Sequence, residues 1–94
     1  MLSTQDKRKL RGIAQTRKAL FQIGKDNIKE STIKTISDSL TAHELVKISL
    51  LKTCTLSVRE AALDLSSATN SQIIQQIGRT IVLYRRSKRN LMEL

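Results

Sequence analysis

With 94 residues and 39 % hydrophobic side chains, the chain can build one modest core and leaves no room for a second domain. Its 17 Lys and Arg against 8 Asp and Glu give a formal net charge of +9, which narrows the partners to nucleic acid, an anionic membrane surface or an acidic protein. One cysteine excludes an internal disulfide framework and fits a reducing, cytoplasmic compartment; no apolar run reaches the ~20 residues of a membrane helix or forms a signal peptide.

There is no proline and there are three glycines, so mostly regular structure with short connections is expected. Ser3-x-x-Asp6 reads as a capping box opening a first helix. Leu10, Ile13, Ala14 and Arg17 follow at helical spacing as one narrow stripe. Residues 19–23 read as a short buried strand ended by Gly24. Asn27-x-x-Glu30 reads as the start of a second helix with Asn27 as its cap, buried through Ile33, Ile36 and Leu40 and stopping near Thr41 or Ala42. Residues 44–51 alternate as a second strand, with Val46, Ile48 and Leu50 opposite Lys47 and Ser49. Val58, Ala61, Ala62, Leu65 and Ala68 mark a third helix over 56–68, with Asn70 in the place of a left-handed cap. Residues 72–77 and 80–85 form a hairpin about the Gly78-Arg79 turn. The expected fold is therefore an α/β two-layer sandwich: a mixed four-stranded sheet packed with helices in the order α-β-α-β-α-β-β. Residues 1–94 form a single domain, with a frayed basic tail over 87–94.

The charge is unevenly placed. Residues 1–34 carry nine basic and three acidic side chains, a net +6. Residues 35–72 carry three and four, a net −1, and residues 73–94 carry five and one, a net +4. If the two ends of the chain meet in space, they make one basic face. Lys7 and Arg11 stand four apart in the first helix, a spacing at which like charges weaken a helix, so the cluster around them hints at an external anion.

The turn Gly24-Lys25-Asp26-Asn27 lies between the first strand and the second helix. Helix N-terminal amides favour anions, a glycine lets phosphate approach the backbone, and Lys25 adds a mobile charge. Asp26 opposes this unless it points away, and an ordinary strand-to-helix turn is the competing reading.

Three segments carry a family resemblance: Ile23-Gly24-Lys25; His43-Glu44-Leu45-Val46-Lys47-Ile48; and Gln76-Ile77-Gly78-Arg79-Thr80-Ile81-Val82-Leu83-Tyr84-Arg85. In order and spacing they resemble the CRM domain family (chloroplast RNA splicing and ribosome maturation) in its stand-alone bacterial YhbY-like form, over about Leu2 to Arg86. The resemblance implies a fold similar to the C-terminal domain of translation initiation factor 3, RNA binding, and association with large-subunit ribosome precursors. It also implies RNA contact by a Gly-x-x-Gly loop. Gly24 matches the first glycine of that loop and Asn27 stands in place of the second, a residue tolerant of positive φ. Asn70 likewise replaces a glycine at a helix cap, and Ala19 replaces a proline.

The expected RNA contacts are Gly24, Lys25, Asn27 and Lys29 around the loop, Lys7, Arg8, Arg11, Arg17 and Lys18 along the first helix, and Arg79, Arg85, Arg86 and Lys88 on the hairpin and tail, with Arg89 beside them. A solvated basic surface is the alternative for any one of them. Phe21 and Tyr84 are the only aromatics; Phe21 is expected in the core, so the binding mode is shape and backbone recognition of folded RNA rather than base stacking. His43 and Cys54 lack the companions that catalysis or zinc would need, and Ser57, Ser66 and Ser67 show no nucleophile pattern. No enzyme, metal or cofactor is expected. The leading expectation is a monomeric, cytoplasmic ribosome-assembly factor that binds large-subunit ribosomal RNA. A general RNA chaperone is the alternative within this class; a basic module docking an acidic ribosomal protein or GTPase is the alternative outside it.

Overall fold

The computed structural model describes residues 2–88, 90 and 91. Helix α1 (Thr4–Gln15) is opened by Ser3, whose Oγ accepts from Asp6 N at 3.0 Å while the Asp6 carboxylate accepts from Ser3 N at 3.2 Å. Both bonds satisfy amides that the first helical turn would otherwise leave unpaired. At its other end α1 lacks a basic residue of its own. Lys47, from a distant strand, supplies the cation: its Nζ donates to Ala14 O at 3.3 Å and Arg17 O at 3.2 Å, against the negative end of the helix dipole.

Strand β1 (Phe21–Ile23) pairs parallel with β2 (Leu45–Leu50). Between them lies helix α2 (Glu30–His43), and after β2 comes helix α3 (Val58–Thr69). Strands β3 (Gln72–Ile77) and β4 (Thr80–Tyr84) form the hairpin, and β4 inserts antiparallel beside β2. The sheet order is β1-β2-β4-β3. The expected element order and mixed sheet are found, and local chemistry explains the match. Ser57 caps α3 by accepting from Glu60 N at 3.1 Å, Asn70 takes φ 54° and ψ 45° at its end, and Gly78 takes φ 56° in the hairpin turn.

The sheet buries both faces, unequally. Under α2 and α3 lies the main core, with Ile23, Ile36, Leu40, Ile48, Leu65 and Ile81 at its centre and Phe21 packed against it. On the opposite face α1 covers a smaller cluster of Leu10, Ala14, Leu45, Ile74, Val82 and Tyr84. Successive residues of β2 alternate between the two sides of the sheet, as the pleat requires. The two-residue Gly78-Arg79 turn pairs Ile77 with Thr80, where the Ile77 side chain is exposed, and a bulge between Ile73 and Gln75 shifts the register beyond it.

One local expectation is corrected. Helix α2 begins at Glu30, not after an Asn27 cap; Lys29 stands at the cap position and makes no side-chain bond there. Asn27 has φ 55°, whereas a capping residue needs extended backbone, and its side chain has partners across the molecule. Nδ2 donates to Thr55 Oγ1 at 2.8 Å, while Oδ1 accepts from Thr55 N at 3.1 Å and from the Cys54 thiol at 3.3 Å. Of the stretch 87–94, expected to fray, Ser87 donates through its backbone N to Glu44 Oε2 at 2.8 Å and through its hydroxyl to the same oxygen. Arg89 and residues 92–94 lie outside the described residues.

Candidate nucleic-acid interface

Three loops meet at one end of the sheet. Because β1 and β2 run parallel, the turn after Ile23 and the loop after Leu50 emerge side by side, and Leu51 N donates to Ile23 O at 2.9 Å. Because β4 lies antiparallel to β2, the Gly78-Arg79 turn arrives at the same end, and Leu50 N donates to Arg79 O at 2.7 Å. Arg79 reaches across to Leu51 O at 3.2 Å through Nη1. Lys25, Lys52 and Arg79 thus stand exposed on one rim, drawn from three distant parts of the chain. Sequence reasoning missed Lys52, which lies in the near-neutral middle segment. Its signal was topological: it follows the strand parallel to the one that Lys25 follows.

The turn itself is a packed element. Asn27 N donates to Gly24 O at 2.9 Å and closes it. A Cβ on Gly24 would lie 3.3 Å from Thr53 Oγ1 and 3.4 Å from Leu51 Cδ1, so the glycine makes room for the neighbouring loop on that side. The turn ends three residues before α2 begins, so Lys25 lies apart from that helix's free amides. Asn27 anchors the loop through both ends of its amide, with one Nδ2 hydrogen outside these bonds. Asp26 faces Lys29 at 3.7 Å, an exposed pair that reduces the local repulsion of phosphate and contributes little stability.

Between this rim and α1 a strip of sheet stays open. Gln22, Ser49, Thr80 and Ile77 are register partners across all four strands, on the face that α1 covers only at the other end. The strip is polar apart from Ile77 and holds no aromatic ring. Phe21 is half-buried toward the main core, and Tyr84 is buried beneath α1.

The remaining expected contacts divide by what already holds them. Arg8 and Lys18 are exposed on and just after α1, and Lys7 and Arg11 are half-buried. Arg17 is half-buried and donates from Nη1 to Leu45 O at 3.2 Å. Arg85 is engaged by the fold: Nη1 donates to Ser37 Oγ at 2.9 Å and Thr69 O at 2.7 Å, and Nη2 to Ser37 O at 2.6 Å and Thr41 Oγ1 at 2.7 Å. It staples the end of β4 to α2 and α3 and has little left for a ligand. Arg86 and Lys88 are exposed at this end, remote along the strands from the Lys25 rim.

The titration of Tyr84 is shifted. Burial raises its pKa above 10.0, the Glu44 carboxylate adds to this, Arg86 opposes it, and Asp6 adds again. His43 is exposed at the end of α2. Cys54 is buried and donates to Asn27. Among the described residues no three His, Cys, Asp or Glu side chains gather as a metal site, and no helix is long and apolar enough to cross a membrane.

The CRS1 / YhbY (CRM) domain family model matches residues 2–85. The chain belongs to this family. It is 41 % identical over 90 residues to the Bacillus subtilis protein named "Probable RNA-binding protein YqeI", covering 96 % of this chain and 94 % of that one. A Haemophilus influenzae protein named "RNA-binding protein" is 27 % identical over 93 residues, covering 99 % and 94 %. The solution structure of the hypothetical protein SAV1595 from Staphylococcus aureus superposes with a TM-score of 0.81 at 43 % identity, covering 98 % of this chain and 96 % of that one. Both relatives carry names that describe RNA-binding proteins.

Proposed function

We propose that this protein binds RNA and acts in ribosome assembly on large-subunit ribosomal RNA, as a cytoplasmic monomer. The observation that carries the RNA reading is the rim of Lys25, Lys52 and Arg79 beside the open sheet strip. Exposed cations at the edge of a polar, aromatic-free surface suit phosphates held in a folded RNA's geometry, and do not suit splayed bases. Arg8, Lys18 and the half-buried Lys7 and Arg11 extend the positive potential along α1. Family membership and the names of the relatives support RNA as the partner class. Large-subunit specificity rests on the family resemblance.

Sedimentation of lysate at low salt, with and without RNase, tests the reading. The protein should travel with large-subunit precursors and be released by RNase. A protein that stays at the top of the gradient in both conditions would overturn the assembly role. Crosslinks spread evenly over cellular transcripts would reassign it as a general RNA chaperone.

A further inference from the structure

The end of the sheet opposite the Lys25 rim carries two adjoining cavities. One, of about 260 Å³, is lined by Asp6, Asn70, Gln72, Tyr84, Arg85 and Arg86. The other, of about 460 Å³, is lined by Thr41, Arg85, Arg86, Ser87 and Lys88. They share Arg85 and Arg86, which form the ridge between them. To these shared arginines the first adds Leu2, two amide side chains and a carboxylate, and the second adds Lys88 and two hydroxyls.

We propose that these cavities form a site for one nucleotide of the bound RNA, with the base against Tyr84, Asn70 and Gln72 and its phosphate held by Arg86 and Lys88. The inference rests on the RNA-binding reading and adds to it a second contact, at the far end of the sheet, that touches a base.

Three observations carry it. Tyr84 is 2 % exposed and lines the first cavity, yet its hydroxyl has no hydrogen-bond partner among the described residues. Buried hydroxyls are nearly always paired in folded proteins, so this orphan, closed to solvent behind the cavity wall, marks where a small outward turn of the ring lets a ligand's polar atom complete the bond. Asn70 and Gln72 each offer both a donor and an acceptor, the complement of a base edge. Finally, the segment that presents the cations is held rigid. Arg85 is fixed by four hydrogen bonds to α2 and α3, and Ser87 by two to the buried Glu44 carboxylate. Arg86, between these anchors, is exposed and makes no hydrogen bond or ion pair among the described residues. A cation held in place by its neighbours loses little freedom when it grips phosphate.

An NMR titration of the full-length protein with AMP, GMP, CMP and UMP, and with ribose 5-phosphate as the base-free control, tests the site. At least one nucleotide should shift the amides of Gln72, Tyr84 and Arg86 in a saturable way, with ribose 5-phosphate weaker by about fivefold or more. Tyr84→Phe and Gln72→Ala should each weaken that nucleotide, and weaken a structured ribosomal RNA fragment in parallel, while Lys25→Ala leaves the mononucleotide unaffected. Equal binding of ribose 5-phosphate, or no saturable shift with any nucleotide, overturns the proposal. Loss of mononucleotide binding with RNA affinity intact makes the ligand a free nucleotide and equally overturns it. Each of these failures leaves RNA binding at the Lys25 rim standing. A wild-type protein that binds no RNA removes the functional reading itself.

Discussion

Replacing Arg85 separates a structural arginine from an RNA-binding one. The guanidinium makes four hydrogen bonds of 2.6–2.9 Å that join β4 to α2 and α3. Bonds from a charged donor contribute roughly 1.5–3 kcal/mol each when removed singly. The four are not additive, because they share one group and water can reach the Thr41 end. Of the two carbonyl acceptors, Thr69 O sits in partly buried surroundings and would lose its donor, whereas Ser37 O keeps Thr41 Oγ1 at 3.2 Å. Arg85→Ala should therefore destabilise by about 2–3 kcal/mol, from the stranded Thr69 carbonyl together with the lost charged bonds to Ser37 and Thr41. For a domain of this size that lowers the melting temperature by about 10–20 °C. Arg85→Lys should recover little, since one ammonium cannot span four acceptors in a plane. Chemical denaturation gives the stability. Fluorescence anisotropy with an RNA fragment, at a temperature where the variant is folded, gives the affinity. The expected affinity loss is smaller than that of Arg86→Ala, because Arg85 acts on the RNA by fixing the segment that carries Arg86 and not by gripping phosphate itself. A variant as stable as the parent but defective in RNA binding would refute the assignment.

The rim makes its own predictions. Lys25→Ala, and more strongly Lys25→Ala with Lys52→Ala and Arg79→Ala, should weaken RNA binding and reduce the salt slope by about 0.7–0.9 for each phosphate no longer neutralised, read from affinities across a salt series. Asn27→Gly keeps the positive φ but removes three hydrogen bonds, and should cost about 1–2 kcal/mol in urea denaturation; Asn27→Ala should cost more, because it adds left-handed strain. Tyr84→Phe removes a hydroxyl unpaired among the described residues, so stability at neutral pH should hold or rise. The same variant should change the alkaline limb. The folded-state pKa of Tyr84 is raised, so the folded chain holds its proton more tightly than the unfolded chain; that stability is complete below pH 10.0 and is lost as pH rises through the folded value. Melting temperatures above pH 10.0 should fall less steeply for Tyr84→Phe than for the parent.

Much of the fold was legible because its determinants are local. A capping box at Ser3, a serine cap at Ser57, an asparagine tolerant of positive φ at Asn70 and a glycine in the 78–79 turn each act within a few residues of their position. Apolar spacing of 2 and 3.6 then separates strands from helices. Asn27 misled for a definite reason. Its spacing to Glu30 fits a cap, but its partners Thr55 and Cys54 lie on another loop, and bonds across the fold outweighed the local pattern.

The sequence by itself determined the amount of charge, its segregation to the chain's ends, the family resemblance and the element order. The tertiary structure decided what each cation does. Arg85, Lys47 and Arg17 carry the same charge as Lys25, Lys52 and Arg86, yet the first three are directed at carbonyls inside the fold and the others at solvent. Charge is a property of the residue, whereas availability depends on which acceptors the packed chain brings within reach. Parallel pairing of β1 with β2, and the insertion of β4 beside β2, set those distances across the fold.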